Sequence, residues 1–101
     1  MWYTGLLLFR STHHPDSGDE PLWEETLILV NANSDEQART LLTKYATSEE
    51  HNFLNENGSK VSWEFMKVAS VFEIGDVLKE ETELFYRFLK DSEVKSIESE
   101  I

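Results

Sequence analysis

The side chains here that could do chemistry are few: two adjacent glutamates, Glu24 and Glu25, in the segment PLWEETLILV; the pair His13-His14, upstream of Asp16 and Asp19; and the run Glu49-Glu50-His51. Paired carboxylates are the machinery of glycoside hydrolysis, but neighbours on one strand point to opposite faces and cannot flank a shared bond. Adjacent histidines on an extended chain converge poorly on one ion, and their spacing to Asp16 and Asp19 matches no recognised metal site. Glu49-Glu50-His51 offers a carboxylate and an imidazole for proton transfer, and it equally fits a solvated helix end. There is no cysteine, no GxSxG elbow, no GxGxxG, no P-loop and no CxxC. The residues therefore indicate no catalytic group, no cofactor and no metal, and the chain reads as a non-enzyme.

Glu24 and Glu25 carry a second question. The apolar half of their segment, LILV, reads as a strand covered on both faces, so one carboxylate is directed toward whatever covers the sheet. A buried carboxylate requires a cation or donors, and Arg10 and Arg87 are the candidates for a structural ion pair. If both glutamates instead lie where the strand frays into solvent, neither needs a partner. A pocket around Glu24, Arg10 and Trp23 is the arrangement that would favour an enzyme.

The charge balance narrows the partners. Twenty acidic residues against nine basic give a net charge of −11. No Lys or Arg occurs between Arg10 and Arg39, a stretch that holds Asp16, Asp19, Glu20, Glu24, Glu25, Asp35 and Glu36. Such a field repels phosphate backbones and anionic lipid and speeds encounter with basic proteins. We therefore expect no nucleic-acid or membrane partner, and we take Trp23, Glu24, Glu25, Asp16, Asp19 and Glu20 as the partner-binding candidates. No signal peptide and no spanning helix is expected, which points to a cytoplasmic protein.

The elements that must position these groups follow from pattern. With 101 residues, 40% hydrophobic and 12% aromatic, the chain suits one folded domain, here residues 1–90, followed by a charged tail, 91–101. Trp2 to Thr12 and Leu22 to Asn31 read as antiparallel strands joined by a polar loop. Ser34 with Gln37 three residues later is a capping box, and Ala38, Leu41, Leu42, Tyr45 and Ala46 form one helical face over 35–48. Asn57-Gly58 predicts a type I′ hairpin between a short strand near 51–55 and a long one over 60–74. In the long strand, Val61, Trp63, Phe65, Ala69 and Val71 would share one face and Met66, Val68, Phe72 and Ile74 the other, with a bulge or bend. LFYRFL, residues 84–89, is a last strand or the start of a helix, and the tail is a weak helix or disordered. The expected fold is α+β: an antiparallel sheet of four or five strands, one amphipathic helix on one face and a possible short C-terminal helix.

One helix covers one face, yet three strands are apolar on both. The second face would be hidden by the tail, by a second copy or by another partner, and a homodimer through the sheet is the first expectation.

Together, WYTGLLLF, PLWEETLILV, SDEQARTLLTKYA with EEH after it, VSWEFMKV and ETELFYRF resemble the bacterial domain-of-unknown-function family numbered 4288, in the same order over most of residues 2 to 88. Pro21-Leu22-Trp23-Glu24-Glu25 and the Trp63 strand are its most specific parts. The resemblance implies a small α+β domain and supplies no catalytic residues; the charged extension after Lys90 lies beyond the family pattern. Two readings remain: an acidic protein-binding module, such as an immunity or inhibitor protein against a basic toxin nuclease, and a structural homodimer or complex subunit joined through the second sheet face.

Overall fold

Short apolar runs rich in aromatic and branched side chains pair into one antiparallel sheet. The computed structural model describes residues 1–16, 18 and 20–100. Its strands are β1 (Trp2–His14), β2 (Trp23–Asn31), β3 (His51–Leu54) and β4 (Lys60–Gly75), in the order β2-β1-β4-β3. Helix α1 (Asp35–Ser48) joins the two edge strands, and α2 (Asp91–Glu100) follows the sheet. The fold is α+β as expected, and Asp19 among the acidic candidates lies outside the described residues.

β1, with the two-sided apolar run Leu6-Leu7-Leu8-Phe9, is central, paired with β2 on one side and β4 on the other; Leu7 and Phe9 are buried, and Leu6 and Leu8 on the opposite face are half-buried. Its odd-numbered residues Tyr3, Leu7 and Phe9 are buried against Ala38, Leu42 and Ala46 of α1. Gly5 lies beneath Leu42, close enough that no side chain would fit between strand and helix. The cap works as the sequence implies. Ser34 Oγ accepts from the Gln37 amide at 3.0 Å, while Gln37 Oε1 reaches one residue past the cap to accept from Asn33 N. Leu41 and Tyr45 sit at the exposed flanks of the helical face rather than within it.

Three expectations are corrected. First, Asn57-Gly58 is not a two-residue type I′ turn. Asn55 and Ser59 close a three-residue loop by a 2.9 Å hydrogen bond, and positive φ falls on Gly58 alone. Asn55 Oδ1 accepts from the amides of Asn57 and Ser59, which favours this longer form. Second, β4 shifts register against β1 between Trp2 and Tyr3, between Leu6 and Leu7 and between Leu8 and Phe9, leaving Ile74, Ala69 and Met66 without partners. These bulges reset the alternation, so Val68 joins Trp63, Phe65 and Val71 against the core, and Ala69 is exposed. Third, 84–89 is neither strand nor helix. Tyr86 meets the sheet's face instead of extending its edge, its ring edge-on to Phe72 at 5.0 Å.

The face away from α1 is thus only partly covered. It carries Leu6, Leu8 and Arg10 of β1 beside Trp23, Glu25, Leu27 and Leu29 of β2. Helix α2 packs against no other element, and Phe88, just before it, is 92% exposed.

Candidate functional site

Helix α1 is about 21 Å long, whereas β1 runs about 43 Å, so the helix cannot cover the whole face it packs on. Beyond its C-terminus the sheet forms the floor of a recess. Phe9 on β1, Glu24 on β2, Glu49 at the helix C-cap, and His51 and Trp63 on β3 and β4 line a cavity of about 210 Å³. Register explains the convergence: Phe9 stands opposite both Glu24 and Phe65, and His51 opposite Trp63.

Specific contacts fix the start of β2, Glu24 and His51. Ser11, buried, uses Oγ to accept from Leu22 N at 3.0 Å, and its amide donates to Leu22 O at 2.9 Å, which fixes the start of β2 just before Trp23 and Glu24. Glu24 Oε1 accepts from the Thr26 hydroxyl at 3.0 Å. His51 Nδ1 lies 3.0 Å from the Glu49 carbonyl; a carbonyl can only accept, so Nδ1 carries the hydrogen and Nε2 is left for a ligand. The His51 ring stacks on Phe53, centroids 6.2 Å apart. Glu50 turns away from the recess and accepts from the Phe65 amide at 3.0 Å, continuing the short β3 with a side chain.

Glu24 and Glu25 point to opposite faces, Glu24 toward the recess and Glu25 toward the open face with Trp23, Leu27 and Leu29. Both are exposed, at the solvent-frayed start of β2, and neither needs a cation. The ion pairs among the described residues are Met1 with Asp76 and Arg39 with Asp35, so the expected pairing of a strand glutamate with Arg10 or Arg87 does not form. Arg10 instead stacks its guanidinium on Trp23, 5.7 Å from the ring centroid, on the face opposite Glu24. Glu24 and Arg10 thus stand on opposite faces of the sheet. Asp16 accepts from Gly18 N at 2.9 Å within its loop, and Glu20 is exposed.

The sequence singled out Glu24 and weighed Glu49 and His51, but not their meeting. Phe9 and Trp63 as walls were missed; the only available signal was register, readable once the hairpin length at Asn55–Ser59 is known. A broader hollow of about 720 Å³ on the outer face of α1 offers less. One helix supplies its whole lining, and Thr40, Thr43 and Thr47 there donate their hydroxyls to carbonyls four residues back.

Among the described residues, no group of three or more His, Cys, Asp or Glu is placed to hold a metal ion. No helix among them is long and apolar enough to cross a membrane. The family model for Domain of unknown function (DUF4288) matches residues 2–86, and the chain belongs to that family. No curated protein and no solved structure gives a significant match.

Proposed function

We propose, from membership of a family without an assigned activity, that this chain is a non-catalytic protein-binding module whose surface is the outer edge of β2 with the adjoining open face. One observation carries the reading. Trp23, Leu27 and Leu29 share one face, with Glu25 between the first two, and are 51%, 49% and 42% exposed on an edge strand whose outer main-chain groups have no strand partner. Exposed apolar groups in a row beside unpaired strand edges are what a protein partner covers. The rim is acidic, with Asp16, Glu20, Glu24 and Glu25, and none of these pairs with a cation among the described residues. A basic partner matches that rim, as an immunity or inhibitor protein matches a toxin nuclease. The reading is of a cytoplasmic protein, and cell fractionation tests the location.

The test is affinity capture from the source cell on the wild-type chain and on Trp23→Ala with Glu24→Gln and Glu25→Gln. A basic protein held by wild type at low salt, released at high salt and not held by the variant is the expected result. The same proteins on both baits, at both salt concentrations, would overturn the reading.

A second reading, homodimerisation, has its own support. Residues 77–97 expose Val77, Leu84, Phe88, Val94 and Ile97 on an arm whose helix packs against no other element, and the open face offers apolar residues for a second copy's arm to cover. Light scattering at low and high salt decides it: a salt-insensitive dimer supports the arm exchange, and a monomer throughout removes it.

A further inference from the structure

We infer that the recess beyond α1 is a guanidinium-binding site that takes an arginine side chain of the partner; this rests on the protein-binding reading above. The recess is small. At about 210 Å³ the cavity falls below the roughly 300–1,000 Å³ of sites that hold drug-sized molecules, and suits a single side chain. The lining selects the charge. Glu24 and Glu49 contribute two carboxylates, no Lys or Arg lines the cavity, and neither glutamate is in an ion pair among the described residues. The lining also selects the shape. Trp63, half-buried, supplies an aromatic wall above the buried Phe9, and a planar, weakly hydrated guanidinium stacks on such a face while its fork of N–H donors meets carboxylates. His51, whose Nδ1 is held by the Glu49 carbonyl, completes the lining with its ring. A bare metal ion does not fit, since the acidic and imidazole groups are not placed close enough to share one.

The cavity lies on the α1 side of β2, and the apolar row Trp23, Leu27 and Leu29 lies on the other side of the same strand. A partner gripping the outer edge of β2 can therefore lay apolar contacts on one face and insert one arginine into the recess on the other.

The test titrates the full chain with a blocked Gly-Arg-Gly peptide, the same peptide carrying neutral citrulline, and methylguanidinium. The indole N–H signal of Trp63 is followed by NMR and assigned with Trp63→Phe. Saturable movement of that signal by the arginine peptide, none by the citrulline peptide, and binding weaker by about three- to tenfold in Glu24→Gln/Glu49→Gln is the expected result, both glutamates being exposed and outside the core. Equal shifts from arginine and citrulline, no saturation with arginine, or unchanged affinity in the double variant would overturn the site. Methylguanidinium binding as tightly as the peptide would overturn the partner as the source of the cation. If Trp23→Ala abolishes capture of a basic protein and Glu24→Gln/Glu49→Gln does not, the guanidinium assignment fails and the protein-binding reading stands.

Discussion

Replacing Gly5 by alanine tests the closest approach of strand and helix. A Cβ at Gly5 would meet three carbons of Leu42, with Cγ at 2.9 Å, where unstrained carbon contacts lie at about 3.5–4.0 Å. Cγ is the branch point of the leucine, so turning the methyl groups does not clear it; the helix must lift or the rotamer must change. Overpacking of this kind costs about 1–3 kcal/mol, against a gain of about 0.4–1 kcal/mol from stiffening the unfolded chain. Gly5→Ala is therefore expected to destabilise the fold by about 1–2 kcal/mol. Leu42→Ala, which empties a site with no solvent exposure, is expected to cost about 2–5 kcal/mol. Combined, the two should cost at least about 0.5 kcal/mol less than their sum, because the new methyl occupies space that Leu42 vacates. Urea denaturation of the four proteins, with a common m-value, supplies the cycle. A neutral Gly5→Ala, or strict additivity, would refute the claim that Leu42 fills the space above Gly5.

Ser11→Ala removes the acceptor for Leu22 N and is expected to lower stability by about 1 kcal/mol, with faster amide exchange at Leu22 and unchanged exchange in β4; uniform exchange would show that Ser11 does not hold the start of β2. Burial first, then the carboxylates of Glu73 and Asp35, hold the Tyr3 phenol above its ordinary pKa of 10.0. The unfolded chain therefore loses this proton before the folded one does, so the stability is fully present below pH about 10 and falls as pH rises beyond it. Tyr3→Phe should flatten that alkaline decline in urea midpoints. Deleting residues 91–101 is expected to leave the melting temperature of the monomer within about 2 °C, since α2 packs against no other element; a larger drop would mean that the helix docks.

The element types were legible because periodicity and capping are local. Ser34 and Gln37 mark the start of α1, and the apolar face over Ala38, Leu42 and Ala46 marks its packed side. The paired strands Trp2–His14 and Trp23–Asn31 followed from their spacing. What failed was non-local. The period-two rule put Val68 on the wrong side because a bulge at Met66 changes which residue comes next on a face, and no composition signal marks that residue. LFYRFL looked like a strand because aromatic residues favour strands, yet Tyr86 found Phe72 across the open face before any edge. The candidate site was legible in pieces, Glu24 in one segment and Glu49 and His51 in another. Their meeting depends on the pairing of three strands, which one segment's pattern does not contain.

The surplus residues of β4 bear on how this gene can change in length. Met66, Ala69 and Ile74 stand outside the ladder with β1, so losing any one of these codons would shorten the strand while every other residue kept its side of the sheet. A single-codon loss elsewhere within 60–73 would turn the following stretch over, exchanging core for solvent. Length differences among relatives within this strand should therefore collect at those positions, and an alignment in which they scatter evenly would contradict the bulges.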